Sequence, residues 1–282
     1  MTISTSKWAG LACVIGLAAG NAGAQAQTKP TSITIATEGA YEPWNFTAPD
    51  GKLAGLEVDL ANDLCGRMQV TCKIVAQDWD GLIPSLTAKK FDAIMASMIV
   101  TPKRLAVIAF SKPYAPTSAA IMVEKTGPLA KLPGTGTTID LGADPVKVEA
   151  ELAPLKAALK GKTVGAQVST ANVAFLDTYF KGVAETREYK TVEQHDLDLR
   201  SGRIDGVVAQ KTSLDATLVK PDFKDFAIAG PTFVNGVFGQ GIAAGLRKDD
   251  TVLKGMFDEA ITSAQQDGTI ERLAKKWLKT GF

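Results

Sequence analysis

Residues 32–68 read SITIATEGAYEPWNFTAPDGKLAGLEVDLANDLCGRM. The β-branched run at 32–37 predicts a strand, and Pro49-Asp50-Gly51 a turn. From Leu56 the apolar residues change period. Leu56, Leu60, Leu64 and Met68 recur at i+4, with Val58, Ala61 and Cys65 widening the stripe, so 56–68 is a helix. Outward from this unit the alternation continues. A strand is expected over 73–76, a short helix over 79–89 after Asp78, and a third strand over 92–95. Thr101-Pro102 opens another helix, with Thr as N-cap and Pro at the first helical position. Strands alternating with helices imply an α/β fold with a mostly parallel sheet flanked by helices.

Residues 125–160 change character, being rich in Pro, Gly, Thr and Ala before a Lys/Ala/Leu helix that ends at Gly161. They read as a surface excursion within a second lobe. The α/β pattern then repeats: a strand over 163–167, a helix over 170–181, a strand near 188–189, a helix over 193–201 and a strand over 206–208. The turn Gly202-Arg203-Ile204-Asp205 resembles Lys90-Phe91-Asp92, so the two halves share a local plan. Two helices close the chain, over 251–266 and 270–279. Gly268 separates them, and Ile270, Leu273, Ala274 and Trp277 lie on one face of the second.

The chain has 282 residues, enough for two lobes with separate cores. Its 45% hydrophobic and 22% charged residues are those of an ordinary globular protein. A net charge of +1 with no basic run argues against nucleic acid as a partner. Lys7, the apolar stretch 8–20 and the small-x-small sites Ala22-Gly23-Ala24 and Ala24-Gln25-Ala26 form a signal peptide over 1–26, cleaved after Ala24 or Ala26. The stretch is too short for a membrane span. Gly10 stands where a lipobox needs Leu, which argues against lipidation of Cys13. Cleavage leaves Cys65 and Cys72, which in an oxidising compartment read as one disulfide. Two Cys without nearby His are too few for a metal site.

The segments ITIATEGAYEPWNF, LEVDLANDLCGRM, QDWDGLIPSLTAKKFDAIMASM, TPKR, IAFSKPY, GIAAGLRKDD and QDGTIERLAKKW, in that order, resemble the polar amino acid-binding proteins of ABC importers, the family 3 solute-binding proteins. The likeness covers the mature chain and is weakest across 126–160. Within the family it is most similar to binders of lysine, arginine and ornithine and of the opines octopine and nopaline. The resemblance implies a type II periplasmic binding fold with ligand enclosed between two lobes. Lobe one would be 31–115 with 234–282, and lobe two 116–233. Crossing hinge segments would lie near 115–118 and 230–234, where Pro116 and Pro231 favour extended chain. It also implies a periplasmic, monomeric receptor with no cofactor, whose partners are a small cationic ligand and the importer's permease subunits.

Site residues carry over position by position. Arg104 lies in the first turn of the Thr101-Pro102 helix, where a cation opposes the helix dipole. A ligand α-carboxylate held by its guanidinium would compensate. Ser169 and Thr170 open a helix whose free N–H groups suit the same carboxylate from the other lobe. Glu38, at the carboxyl edge of the first strand, suits a guanidinium or ammonium, and Tyr41 and Trp79 offer flat faces to a cation. Ser97, Met98 and Gln167 complete the expected contacts. Two positions depart from the family. Ile99 replaces the usual Ser or Thr. Gln210 replaces an Asp that would meet the ligand α-ammonium, which favours an N-substituted, opine-like ligand. His195 is expected at the surface or lining the site. The fold also serves a dehydratase, a lytic transglycosylase module and sensors of membrane kinases. Because no general base is paired with an orienting group, the expected role is binding without catalysis.

Overall fold

A computed structural model describes residues 1–4 and 28–278. The expected cleavage sites and Cys13 lie outside the described residues. Two sheets organise the molecule. The first has the order Thr71–Ala76, Ser32–Thr37, Ala93–Ile94, Gly245–Leu246, Ala109–Phe110. Ser32–Thr37 runs parallel to Thr71–Ala76, from Ser32 opposite Thr71 to Thr37 opposite Ala76, and parallel to Ala93–Ile94. Gly245–Leu246 is antiparallel to both its neighbours. The second sheet has the order Glu185–Tyr189, Thr163–Gln167, Gly206–Gln210, Ala119–Glu124, Phe226–Val234, Thr138–Asp140. Its first three strands are mutually parallel, and Ala119–Glu124 is antiparallel to both neighbours. In each sheet the parallel strands come from strand–helix alternation. The antiparallel ones adjoin the places where the chain changes sheet.

The chain changes sheet between Phe110 and Ala119 and returns between Val234 and Gly245. The second crossing therefore follows Val234 rather than occupying 230–234. Gly230 and Pro231 produce a register shift between Ala229 and Phe233 inside the long strand, because Pro lacks the N–H that a regular ladder needs. Thr117 Oγ1 donates to Phe238 O at 2.9 Å and ties the crossings together.

The helix Leu56–Met68 buries Leu56, Leu60, Leu64 and Met68, the stripe visible in its sequence. It packs on the closing helices Thr251–Gln266 and Thr269–Leu278. Cys65 and Cys72 are disulfide-bonded with Cα atoms 6.1 Å apart, joining the helix to the strand Thr71–Ala76. The region 125–160 is more than a surface excursion. Thr138–Asp140 adds a parallel edge strand to the second sheet. The helix Pro145–Leu159 buries Val148, Leu152, Leu155 and Leu159, again one face.

His195 is also placed differently from expectation. It is 1% exposed, with Nδ1 3.0 Å from Asp196 Oδ1. It shares the inner face of the helix Val192–Arg200 with Leu199, four residues on.

Candidate functional site

The carboxyl ends of the parallel strands of both sheets converge on one cavity. Glu38 follows Ser32–Thr37, and Trp79 and Ser97 follow the neighbouring strands Thr71–Ala76 and Ala93–Ile94. From the second sheet, Gln167 and Gln210 are the last residues of Thr163–Gln167 and Gly206–Gln210. Thr170 is the N-cap of the helix Ala171–Tyr179. Together with Tyr41, Ala96, Ile99, Arg104, Ala171 and Asn172 they line one narrow cavity. Of the nine candidate binding residues, eight line it. Met98 does not; it is 1% exposed and packs in an apolar cluster with Leu82, Leu86, Phe91 and Phe110. The chain bends at Ala96 and Ser97, where Ser97 takes a positive φ of 51°, so Ala96, Ser97 and Ile99 line the cavity while Met98 packs in the core.

Arg104 is 9% exposed. Thr101 caps its helix by accepting from Arg104 N at 3.4 Å. The guanidinium donates to Ile99 O at 2.8 Å and, across the cavity, to Ser169 O at 3.1 Å. Its carbon lies 5.1 Å from the Trp79 ring centroid, a cation–π contact that holds the charge in place. Burial alone lowers its pKa to about 10, and it stays a cation at neutral pH. Among the described residues no carboxylate bonds to it, so its charge is available to an anionic ligand group.

Further bonds cross the cavity. Trp79 Nε1 donates to Val168 O at 2.9 Å. Gln167 Nε2 donates to Glu38 Oε1 at 2.6 Å, and Ser97 Oγ to Gln210 Oε1 at 2.8 Å. Beside the cavity, Trp44 Nε1 donates to Thr212 Oγ1 at 3.0 Å. Thr170 Oγ1 donates to Gln167 O at 2.6 Å and makes no capping bond. The first-turn N–H groups of its helix are therefore left for another acceptor. The ring of Phe175 on that helix packs 4.5 Å from Phe233 and 5.4 Å from Phe238, centroid to centroid, which fixes the helix against the sheet.

Glu38 is 7% exposed. Burial raises its carboxyl pKa to about 7; the Gln167 bond works against this, and the charges of Asp78, Glu57 and Asp80 add to it. The Tyr41 hydroxyl is also pushed up, by burial and then by Glu38. An acid so poised is part-protonated at neutral pH, and an arriving cation favours its ionised form.

A residue absent from the sequence reading stands behind this site. Glu57, 1% exposed, accepts from Asn45 Nδ2 at 2.7 Å, from Ser97 N at 2.6 Å and from the Tyr114 hydroxyl. Asn45 Oδ1 in turn accepts from Gly39 N at 2.8 Å. One carboxylate thus fixes the segments that carry both Glu38 and Ser97. Its signal in sequence was an acidic residue next to Leu56, on the buried side of an otherwise apolar stripe.

The chain is similar to known proteins over most of its length. The octopine-binding periplasmic protein of Rhizobium meliloti is 46% identical over 273 residues, covering 90% of this chain and 92% of that protein. The lysine/arginine/ornithine-binding periplasmic protein of Escherichia coli is 34% identical, covering 88% of each. A solved structure of a periplasmic His/Glu/Gln/Arg/opine family-binding protein from Silicibacter pomeroyi, in complex with lysine, superposes with a TM-score of 0.70 at 31% identity. It covers 87% of this chain and 96% of that one. The model of the bacterial extracellular solute-binding proteins, family 3, matches residues 33–280. On the match over nearly its whole length, the chain belongs to the bacterial extracellular solute-binding proteins of family 3.

Proposed function

We propose that the protein is a periplasmic receptor that captures a cationic, opine-like amino acid derivative and delivers it to the permease of an ABC importer. The observation that carries this reading is the pairing of Glu38 and Arg104 in one cavity that has an amide, Gln210, and no carboxylate at position 210. Arg104 and the first turn of the helix Ala171–Tyr179 take a carboxylate. Glu38, Tyr41 and Trp79 take the distal cation. A buried α-ammonium needs an anionic partner, and the second carboxylate of an opine supplies one from within the ligand. The names of the relatives support the same ligand class.

The test is titration of octopine, nopaline, arginine and lysine against one preparation. Octopine or nopaline binding more tightly than arginine is expected, and Gln210→Asp shifts the preference toward arginine. Tight arginine binding with no opine binding overturns the reading. One observation favours catalysis instead: a carboxyl with a pKa near 7 suits a general base. Gln167, its hydrogen-bond partner, cannot relay a proton, and incubation with prephenate is expected to leave it unchanged.

A further inference from the structure

The helix Ala171–Tyr179 carries a cavity-lining side chain with no role in the reading above. Asn172, its second residue, is 5% exposed, and its Oδ1 is buried without a hydrogen-bond partner. Among the described cavity-lining residues it is the one that leaves a solvent-excluded side-chain acceptor unmet. Two neighbouring acceptors there have donors: Gln210 Oε1 takes the Ser97 hydroxyl, and Glu38 Oε1 takes the Gln167 amide. Native proteins seldom bury an acceptor without supplying a donor. The helix itself is fixed by the ring of Phe175, so Asn172 has little freedom to seek a partner elsewhere in the chain.

We infer that Asn172 Oδ1 accepts the hydrogen bond of the ligand's α-nitrogen, taking over the role that a carboxylate at position 210 would play. This deepens the ligand class proposed above and rests on it. The placement follows from the carboxylate end. A carboxylate held by Arg104 and the first turn of this helix lies beside Thr170 and Ala171. The nitrogen on the adjoining carbon then falls next to Asn172, one residue further along the same turn. Gln210 has less to offer, because the Ser97 hydroxyl already takes one lone pair of its carbonyl oxygen, while Asn172 Oδ1 has both free. The exchange also changes the chemistry. A carboxamide gives a hydrogen bond without a charge. That suits a secondary amine balanced by its own second carboxylate and serves a free α-ammonium poorly.

The experiment titrates octopine and arginine calorimetrically against wild type, Asn172→Ala and Asn172→Asp, each checked for an unchanged melting profile. Asn172→Ala is expected to weaken octopine by roughly tenfold to a hundredfold, the range for a hydrogen bond to a charged group. Asn172→Asp keeps an acceptor and adds a charge, so it should retain most octopine binding and tighten arginine. Octopine affinity of Asn172→Ala within about twofold of wild type overturns the contact. So does Asn172→Asp binding both ligands as weakly as Asn172→Ala, which would instead make the amide a donor to carboxylate. If wild type binds neither compound, the ligand class fails and the contact fails with it. A wild type that binds octopine beside an unaffected Asn172→Ala sinks the contact alone.

Discussion

Lowering the pH from 8 to 6 should weaken binding of a cationic ligand by about tenfold through Glu38 alone. Its carboxyl is held near 7 by burial, with Asp78, Glu57 and Asp80 adding repulsion and the Gln167 bond pulling the other way. A guanidinium or ammonium beside it favours the ionised form and lowers that pKa. Binding below pH 7 must then expel a proton. At pH 6 only about one-tenth of the unliganded protein is ionised, which costs about 1.4 kcal/mol relative to the plateau. Each further pH unit costs about as much again until the pKa of the complex is reached. Calorimetry across pH 5.5 to 8.5, in two buffers of different ionisation enthalpy, counts the released proton directly. Glu38→Gln should bind more weakly at pH 8 and show a flat profile. A flat profile in the wild type, or the same slope in Glu38→Gln, would refute the assignment of Glu38 to the cation.

Without ligand, the same group should make folding stability fall as pH rises. The folded carboxyl keeps its proton up to about 7 while an unfolded one releases it near 4.5, so the contribution is complete below 4.5 and lost by about 7. That span caps the effect at about 3 kcal/mol, and melting curves of wild type against Glu38→Gln measure it. Arg104→Ala should stay folded and lose about 2–5 kcal/mol of binding; near wild-type affinity in a titration would remove Arg104 from the carboxylate clamp. Glu57→Ala strands Ser97 N, the Asn45 amide and the Tyr114 hydroxyl in the interior. It should lower unfolding free energy in urea by about 3 kcal/mol or more, and a loss below about 1 kcal/mol would show the network to be dispensable.

The elements with a repeating apolar face were legible in sequence. The helix Leu56–Met68 begins and ends where its stripe does. Boundaries without such a stripe were less legible. Residues 79–89 hold a single 3₁₀ turn, Trp79–Gly81, running into the helix Leu82–Thr87. The strand Thr138–Asp140 is three residues long and acquires its identity from a partner about ninety residues away, and no local pattern announces it. His195 was misplaced because one polar residue does not reveal which face of a polar helix turns inward. The candidate site was readable where a motif fixed it, as at Thr101-Pro102 and Arg104. Glu57 and Asn172 were missed for a common reason. Each gains its role from a fold-level neighbourhood, the first from three donors on separate segments and the second from a partner it lacks.

The hydrogen bonds that span the cavity have a kinetic consequence. Trp79 to Val168 and Arg104 to Ser169 are made by residues that also line it, so an arriving molecule competes with the protein's own carbonyls for them. Trp44 to Thr212 lies outside the cavity lining and joins the same two halves. A bond of this kind adds to how long cargo dwells without reading what the cargo is. Trimming it with Trp44→Phe would change the off-rate for every cargo by one common factor. Residence time and selectivity are therefore separable in this receptor, and the hand-over to a membrane partner could be tuned by selection at position 44 or 212 while the recognition chemistry stayed fixed.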